Sequence, residues 1–457
     1  MNNQKKYNTY RQTFKEFVYE GYEYDVQPDG LHISFWFHID GSGQRFEFRP
    51  KAHVLERPFL NFNQEKAVMD TLVFNIGMVE LISYWKCLCP QKVEVRCGCL
   101  SDEQISFWKK LYFNGLGEFF YTNSIRATLE DFMTISSTMV GSNQFSVGNP
   151  QSSIGRYLVP IGGGKDSVVT LECLRGANGA ESVVPLIMNP RGATIECIQA
   201  GGYTMDDVLV IKRGIDQQLL DLNAKGALNG HTPFSAMLAF YTMLAAQLSG
   251  IPNVALSNES SANESTVVGT NVNHQYSKSL EFEDDFRKYV KDNISTQFNY
   301  FSFLRPLSEL QIAMLFAQNE KYFDVFKSCN AGSKQDIWCG KCAKCLFAYI
   351  ILSPFIAPER LNAIFGKNML DDPEMENFFL ELAGKAETKP FECVGTIDEV
   401  NVALGMTMKK WYNADNMPCL LRGFVPSQAA MDLKHLFLDN NLSQEELNLL
   451  ASKLVSE

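Results

Sequence analysis

This sequence predicts an α/β fold: a Rossmann-like parallel sheet, preceded by an α+β N-terminal domain and followed by a mainly helical C-terminal region. Three observations carry that expectation. From Arg156 onward, short apolar strand segments alternate with helical ones, the pattern of a parallel sheet covered by helices on both faces. Ahead of that point lie aromatic-rich runs with strand alternation, and beyond about residue 350 the apolar spacing is helical. At 457 residues the chain is too long for one ordinary core. The divisions expected are 1–150, 151–350 and 351–457.

In chain order, Leu31–Ile39 and Phe46–Phe48 alternate as strands do, and Lys66–Trp85 has helical spacing. Ser101 and Gln104 make a capping-box pattern that starts a helix before Ile105. The stretch Ser136–Ser153, rich in Ser, Asn and Gly, reads as the linker that closes the first domain. Strands are then expected at Tyr157–Ile161, Val183–Met188, Val208–Lys212 and Val254–Ser257, with a helix over Phe234–Leu248. Ser443 and Glu446 cap a final amphipathic helix. Ligands in such sheets sit beyond the carboxyl ends of the strands. That rule gathers the loop after Ile161, Asn189 and Ser257–Glu259 around one crevice.

The net charge of −11 argues against broad contact with nucleic-acid phosphates and favours a small-molecule substrate. The opening Met1–Lys6 is polar and carries no signal-peptide pattern. The longest apolar stretches, Phe234–Leu248 and Cys345–Ala357, are interrupted or too short to span a bilayer, so no membrane partner is expected and the location expected is cytoplasmic. Twelve cysteines in such a chain suggest thiols and a metal site rather than disulfides.

The most informative segment is Tyr157–Ser167. An apolar strand breaks into Gly162, Gly163 and Gly164, and Lys165, Asp166 and Ser167 then open a helix. Glycines let backbone approach a phosphate, and a helix N-terminus supplies N–H donors. This cradle lacks the Walker ending. It resembles the pyrophosphate loop of the ATP pyrophosphatase (PP-loop) superfamily, whose members cleave ATP between the α- and β-phosphates. Gly162 stands where that pattern usually has Ser.

Cys329, Cys339, Cys342 and Cys345 form the second strong signal. Four thiolates with two short gaps can close a tetrahedron around structural zinc, and an iron–sulfur cluster is the competing ligand. The spacing also resembles that of the 7-cyano-7-deazaguanine synthases. Cys87, Cys89, Cys97 and Cys99 sit in strand-like runs and are expected to be core residues.

Further segments, Asn223–Pro233, Ser257–Glu264, Val272–Lys278, Leu304–Leu310, Trp338–Gly340, Phe365–Asn368 and Lys389–Gly395, together with the glycine loop, resemble the UDP-N-acetyl-α-D-muramoyl-L-alanyl-L-glutamate epimerase family. The likeness covers roughly residues 155–395. It implies ATP- and Mg2+-dependent epimerisation of the terminal L-glutamate of a UDP-muramoyl dipeptide, through an acyl-adenylate, in peptidoglycan precursor synthesis. Gly163, Gly164, Lys165 and Ser167 would hold pyrophosphate, with Gly162 in the same loop, and Asp166 would ligate magnesium. Glu259 is a second magnesium candidate, Lys165 and Arg305 would steady phosphate charge, and His274, His231 and Lys278 are the proton-transfer candidates. Two other readings stand beside this one: a carboxylate-activating enzyme forming an amide or nitrile, and an ATP-binding protein without turnover.

Overall fold

The computed structural model describes residues 2–138, 155–264, 273–386, 388–427, 429 and 431–455. Most of the expected linker Ser136–Ser153 and the expected boundary near residue 150 lie outside the described residues. The chain is a mixed α/β protein with many helices. Its strands are β1 (Phe14–Gln27), β2 (Gly30–Gly41), β3 (Gln44–Phe48), β4 (Lys51–Leu55), β5 (Lys92–Val95), β6 (Thr134–Ser137), β7 (Tyr157–Pro160), β8 (Val183–Met188), β9 (Leu209–Gly214), β10 (Asn253–Leu256) and β11 (Asn299–Ser302). Two compact units are distinguishable. The first comprises Met1–Leu158, Leu209–Val254 and Gln275–Tyr300, and the second Val159–Val208, Ala255–His274 and Phe301–Glu457.

In the first unit the sheet runs β9-β4-β2-β1-β5-β6, with β3 on β2. On β2 Leu31, Ile33, Phe35, Phe37 and Ile39 are each no more than 2% exposed, and among the residues between them only His38 is also buried. Every second side chain on a strand points to the same face, so these five form one core surface. The helix Lys66–Trp85 is buried against that side, with Phe74 stacked on Tyr19 at 5.9 Å and Tyr84 5.6 Å from Phe37. Gly77 is required there, because a Cβ would sit 1.9 Å from the Tyr19 hydroxyl. This helix is long and apolar enough to cross a bilayer by length and composition. Its burial in the unit accounts for that composition as core.

β7 and β10 pair parallel, as expected of that part of the chain, while the sheet as a whole is mixed, since β9 also pairs antiparallel with β4 of the N-terminal region. An apolar run fixes that a strand is buried but not its direction. One expectation is corrected: Cys87 and Cys89 do not lie on a strand but occupy the turn after the long helix, with Cys89 at a φ of 48°. Cys97 and Cys99 follow β5 in irregular chain. Cys87, Cys89 and Cys99 are buried and Cys97 half-buried, so their reading as core stands on burial.

The second unit contains β8 and the closing residues of β7, β10 and β11, where the Ile161 N–H donates to the Leu186 carbonyl and the Phe303 N–H to that of Leu256. Helices Lys165–Asn178 and Glu309–Ala317 pack together, as do Ala343–Leu352 and Ile397–Trp411. Ser308 and Thr396 each close a full capping box. The expected C-terminal helix is Gln444–Val455, with Leu450 and Leu454 buried.

Candidate active site and metal centre

The glycine loop lies in the second unit and has the strand–loop–helix form its sequence calls for, β7 running through residues 161–164 into helix Lys165–Asn178. Gly164 is the N-cap and has no side chain to cap the helix, so the first-turn N–H groups face outward from that end. Gly163 adopts a φ of +85°, and its carbonyl accepts from the Lys327 N–H at 2.7 Å. Arg191 Nη2 donates to the Gly162 carbonyl at 3.2 Å. Ser167 Oγ donates to the Gly164 carbonyl at 3.0 Å.

Lys165 and Asp166 do not extend into solvent. The Lys165 side chain is buried, and Nζ bonds the carboxylates of Asp166 and Glu309. Burial works against its charge, but those two acids hold its pKa above the ordinary lysine value. Asp166 is the second residue of its helix rather than the N-cap. Around this cation the unit gathers an excess of acid. Burial pushes the Glu309 carboxyl up to about 8; Lys165 opposes that, while Asp166 and Glu259 add to it. Glu399, also buried, accepts from the backbone N–H groups of Glu309 at 2.7 Å and Thr396 at 2.6 Å. Burial raises its pKa as well.

Glu259 is 3% exposed and Arg305 1%, so neither is the solvated side chain its residue type suggests. Arg305 donates to the Glu259 carbonyl at 2.7 Å and to Ser302 Oγ at 3.2 Å. It thereby ties the loop after β10 to the end of β11. Asn258 Nδ2 donates to the same Ser302 hydroxyl at 2.9 Å.

The proton-transfer candidates divide between the units. His274 belongs to the second, half-buried, within electrostatic reach of Glu392, whose carboxyl is raised by burial. His231 and Lys278 belong to the first. His231 Nδ1 lies 3.5 Å from Glu118 Oε2, and Lys86, its own pKa lowered to about 8 by burial, bonds the carbonyl of neighbouring Gly230. Lys278 ends a single 3-10 turn.

The four cysteines of the second motif do converge. Sγ–Sγ separations are 3.7 Å for Cys329–Cys342 and Cys339–Cys345, and 3.5 Å for Cys342–Cys345. A tetrahedron with zinc–sulfur bonds of about 2.3 Å has edges of about 3.8 Å, so the set fits zinc. The Gly332 N–H donates to Cys329 Sγ at 3.2 Å, a backbone contact that suits a thiolate. Side-chain hydrogen bonding with Cys345 brings Cys342 down to about 5. All four corners are protein sulfur, which leaves no open position for chemistry.

Glu309 and Glu399 were not among the sequence candidates. Glu309 follows Ser308 in a capping box, so locally it is an ordinary first-turn acid. Only its long-range contact with Lys165 marks it.

Fold and site thus define a mixed α/β protein with a glycine loop at a helix N-terminus, a buried acid-rich ion network and a four-cysteine group that could hold a metal. The MurL N-terminal domain matches residues 8–303 and the MurL C-terminal domain residues 325–432. A protein from Micromonospora sp. is 37% identical over 356 residues, covering 76% of this chain and 77% of its own. One from Salinispora tropica is 36% identical over 415 residues, covering 89% and 88%. One from Xanthomonas oryzae pv. oryzae is 34% identical over 370 residues, covering 79% and 80%. Each of the three is named UDP-N-acetyl-alpha-D-muramoyl-L-alanyl-L-glutamate epimerase. The chain belongs to the MurL family.

Proposed function

We propose that this chain is an epimerase acting on UDP-N-acetylmuramoyl-L-alanyl-L-glutamate, inverting its terminal glutamate with ATP and magnesium in cytoplasmic peptidoglycan precursor synthesis. The observation that carries this is the match to both MurL domains across nearly the whole chain, with relatives of that one name. The glycine loop supports the ATP step. A free carboxylate resists loss of its α-proton because the enolate would gain a second negative charge. Attack of the glutamate carboxylate on the α-phosphorus expels pyrophosphate and gives an acyl-adenylate with a neutral, electron-withdrawing carbonyl. A base removes the α-proton, a proton returns from the opposite face, and water releases AMP and the D-glutamyl product.

The backbone N–H groups of Gly163, Gly164 and Lys165 hold the leaving pyrophosphate, joined by the Ser167 hydroxyl once its proton turns from the Gly164 carbonyl to the anion. Asp166, with Glu259 as second candidate, holds magnesium, which offsets phosphate charge. Lys165 and Arg305 steady the phosphate charge; Lys165 Nζ also bonds the Asp166 carboxylate, and Arg305 the Glu259 backbone carbonyl. His274 is the leading proton-transfer group, with His231 and Lys278 as the alternatives for a second face. The N-terminal 150 residues recognise the uridine-muramoyl part. A cavity of about 650 Å³ in the first unit, lined by Tyr22, Tyr24, Phe62, Lys66 and Asp70, offers aromatic faces for a base, with Lys66 paired to Asp70 at 2.6 Å.

The reading is tested in deuterated water with purified protein, ATP, magnesium and the L-glutamyl substrate. D-glutamate carrying one deuterium, formed with AMP and pyrophosphate, is the expected result. AMP without inversion would move the chain to another carboxylate-activating reaction, and neither product would refute the assignment. The cysteine centre holds structural zinc in this reading. Cys342→Ser should lower the melting temperature before it alters turnover per folded molecule; unchanged melting would mean the centre is dispensable.

A further inference from the structure

The first unit carries another convergent set of metal-ligating side chains, which the epimerase reaction does not use. Asp29 lies in the turn between β1 and β2, and β4 flanks β2 on its other edge. His32 and His53 stand directly opposite one another in the β2–β4 register. Directly opposed residues on paired strands share a face, and the two imidazoles stack with centroids 4.0 Å apart. Both present the same nitrogen to one carboxylate: His32 Nε2 lies 2.9 Å from Asp29 Oδ1, and His53 Nε2 3.6 Å from Asp29 Oδ2. The three ligand atoms all fall within 4.8 Å of one another.

Two features separate this set from an ordinary surface cluster. The backbone fixes it, because the histidines are locked by strand register and the Asp29 carbonyl accepts from the Glu56 N–H at 2.9 Å. Asp25 stands opposite His32 on β1 and Lys212 opposite His53 on β9. The row across four strands therefore reads carboxylate, imidazole, imidazole, ammonium. With no metal, hydrogen bonds alone account for the contacts: His53 Nε2 also lies 3.0 Å from the Asp29 carbonyl. In that state at least one proton sits between each ring and Asp29. Two imidazole nitrogens and one carboxylate oxygen are also a donor set for zinc and similar borderline cations.

We propose that Asp29, His32 and His53 form a three-ligand site for a divalent transition metal of the zinc type, sharing no ligand with the four cysteines. Because an imidazole lone pair lies in the plane of its ring, uptake first turns the stacked rings apart about their Cβ–Cγ bonds; each ring proton then moves to Nδ1, or is released to solvent where the ring was charged, and both Nε2 lone pairs pass to the ion. The Asp29 carboxylate supplies the third bond, and water completes the shell. The rings are 33% and 19% exposed, so the ion enters from solvent without unfolding.

The test counts zinc in the full-length protein after equilibrium dialysis against micromolar free zinc. The His32→Gln, His53→Gln double variant is expected to hold one zinc fewer per chain than the parent, whatever the cysteine centre holds. Its melting temperature should also lose the rise that added zinc gives the parent. An unchanged zinc count in a double variant with native circular dichroism would overturn the proposal. If the double variant does not fold, Asp29→Asn, at an exposed turn, decides the matter: an unchanged zinc affinity would overturn it and a weakened one would support it.

Discussion

Each unit of this protein buries an ion pair, and the two pairs are built differently. In the first unit Glu80 faces Arg213 in a fork, with Nε to Oε1 at 2.6 Å and Nη2 to Oε2 at 2.7 Å; the Tyr241 hydroxyl adds a bond to Oε1 at 3.0 Å. One acid meets one base, and the geometry satisfies both. In the second unit Lys165 meets Asp166 and Glu309, while Glu259 lies near enough to add to the rise that burial gives both Glu309 and Glu399. There the acids outnumber the lysine at the centre. A balanced pair fixes a core, whereas a surplus of buried acid is stable only while a proton or a cation offsets it. In the proposed mechanism the first pair would be scaffold and the second machinery.

The largest expected effect comes from the unbalanced network. Asp166→Asn should cut pyrophosphate release by about a thousandfold, the scale of losing a main transition-state contact, while leaving the fold intact. Stopped pyrophosphate assays with circular dichroism check it; turnover above a tenth of wild type would remove Asp166 from the magnesium role. The balanced pair should behave in the opposite way. Arg213→Met strands Glu80 in the core and should destabilise the protein by about 3–5 kcal/mol in urea unfolding. Turnover per folded molecule should stay near wild type at low temperature. A variant that is stable yet inactive would erase the contrast.

A smaller and pH-dependent effect follows from Glu309. In the unfolded chain its carboxyl ionises near the ordinary value of 4.5, and in the folded protein near 8. Between those values the native state binds the extra proton, so this group's stabilising contribution, full below about 4.5, is lost as pH rises towards 8. Glu309→Gln cannot ionise. The stability of wild type minus that of Glu309→Gln should therefore fall across pH 5–8, as read by urea titration at each pH. A flat difference would mean that Lys165 keeps Glu309 charged throughout, and the second pair would then resemble the first.

What the sequence disclosed follows the range of the physics involved. The glycine loop, the cysteine spacing and the caps at Ser101 and Ser443 are local, encoded within a few residues, and each occurs in the structure where the local pattern puts it. Polarity is not local: β9 is antiparallel because β4, about 160 positions earlier in the chain, lies beside it. Partners are not local either. Glu309 lies 144 residues from Lys165, and nothing near it announces the contact. Arg305 and Glu259 were named for charge, and the structure gives them burial as well.

The smallest effect should come from Gly162, where the loop departs from the usual superfamily serine. A Cβ at Gly162 would meet nothing within 4 Å, and its φ lies outside the left-handed region. Gly162→Ser should therefore fold like wild type and change the KM for ATP by no more than about threefold, the worth of one added neutral hydrogen bond near 0.5 kcal/mol. The adjacent Gly163 should behave differently. Its φ of +85° disfavours any side chain, and a Cβ would press on the Ala193 backbone carbon at 3.2 Å. Gly163→Ala should displace the loop and cost far more in kcat/KM for ATP than Gly162→Ser. Equal tolerance at both positions would mean that the loop's backbone path does not set phosphate binding. Equal loss at both would mean that the space beside Gly162 is filled by substrate, and that the missing hydroxyl is an adaptation to it.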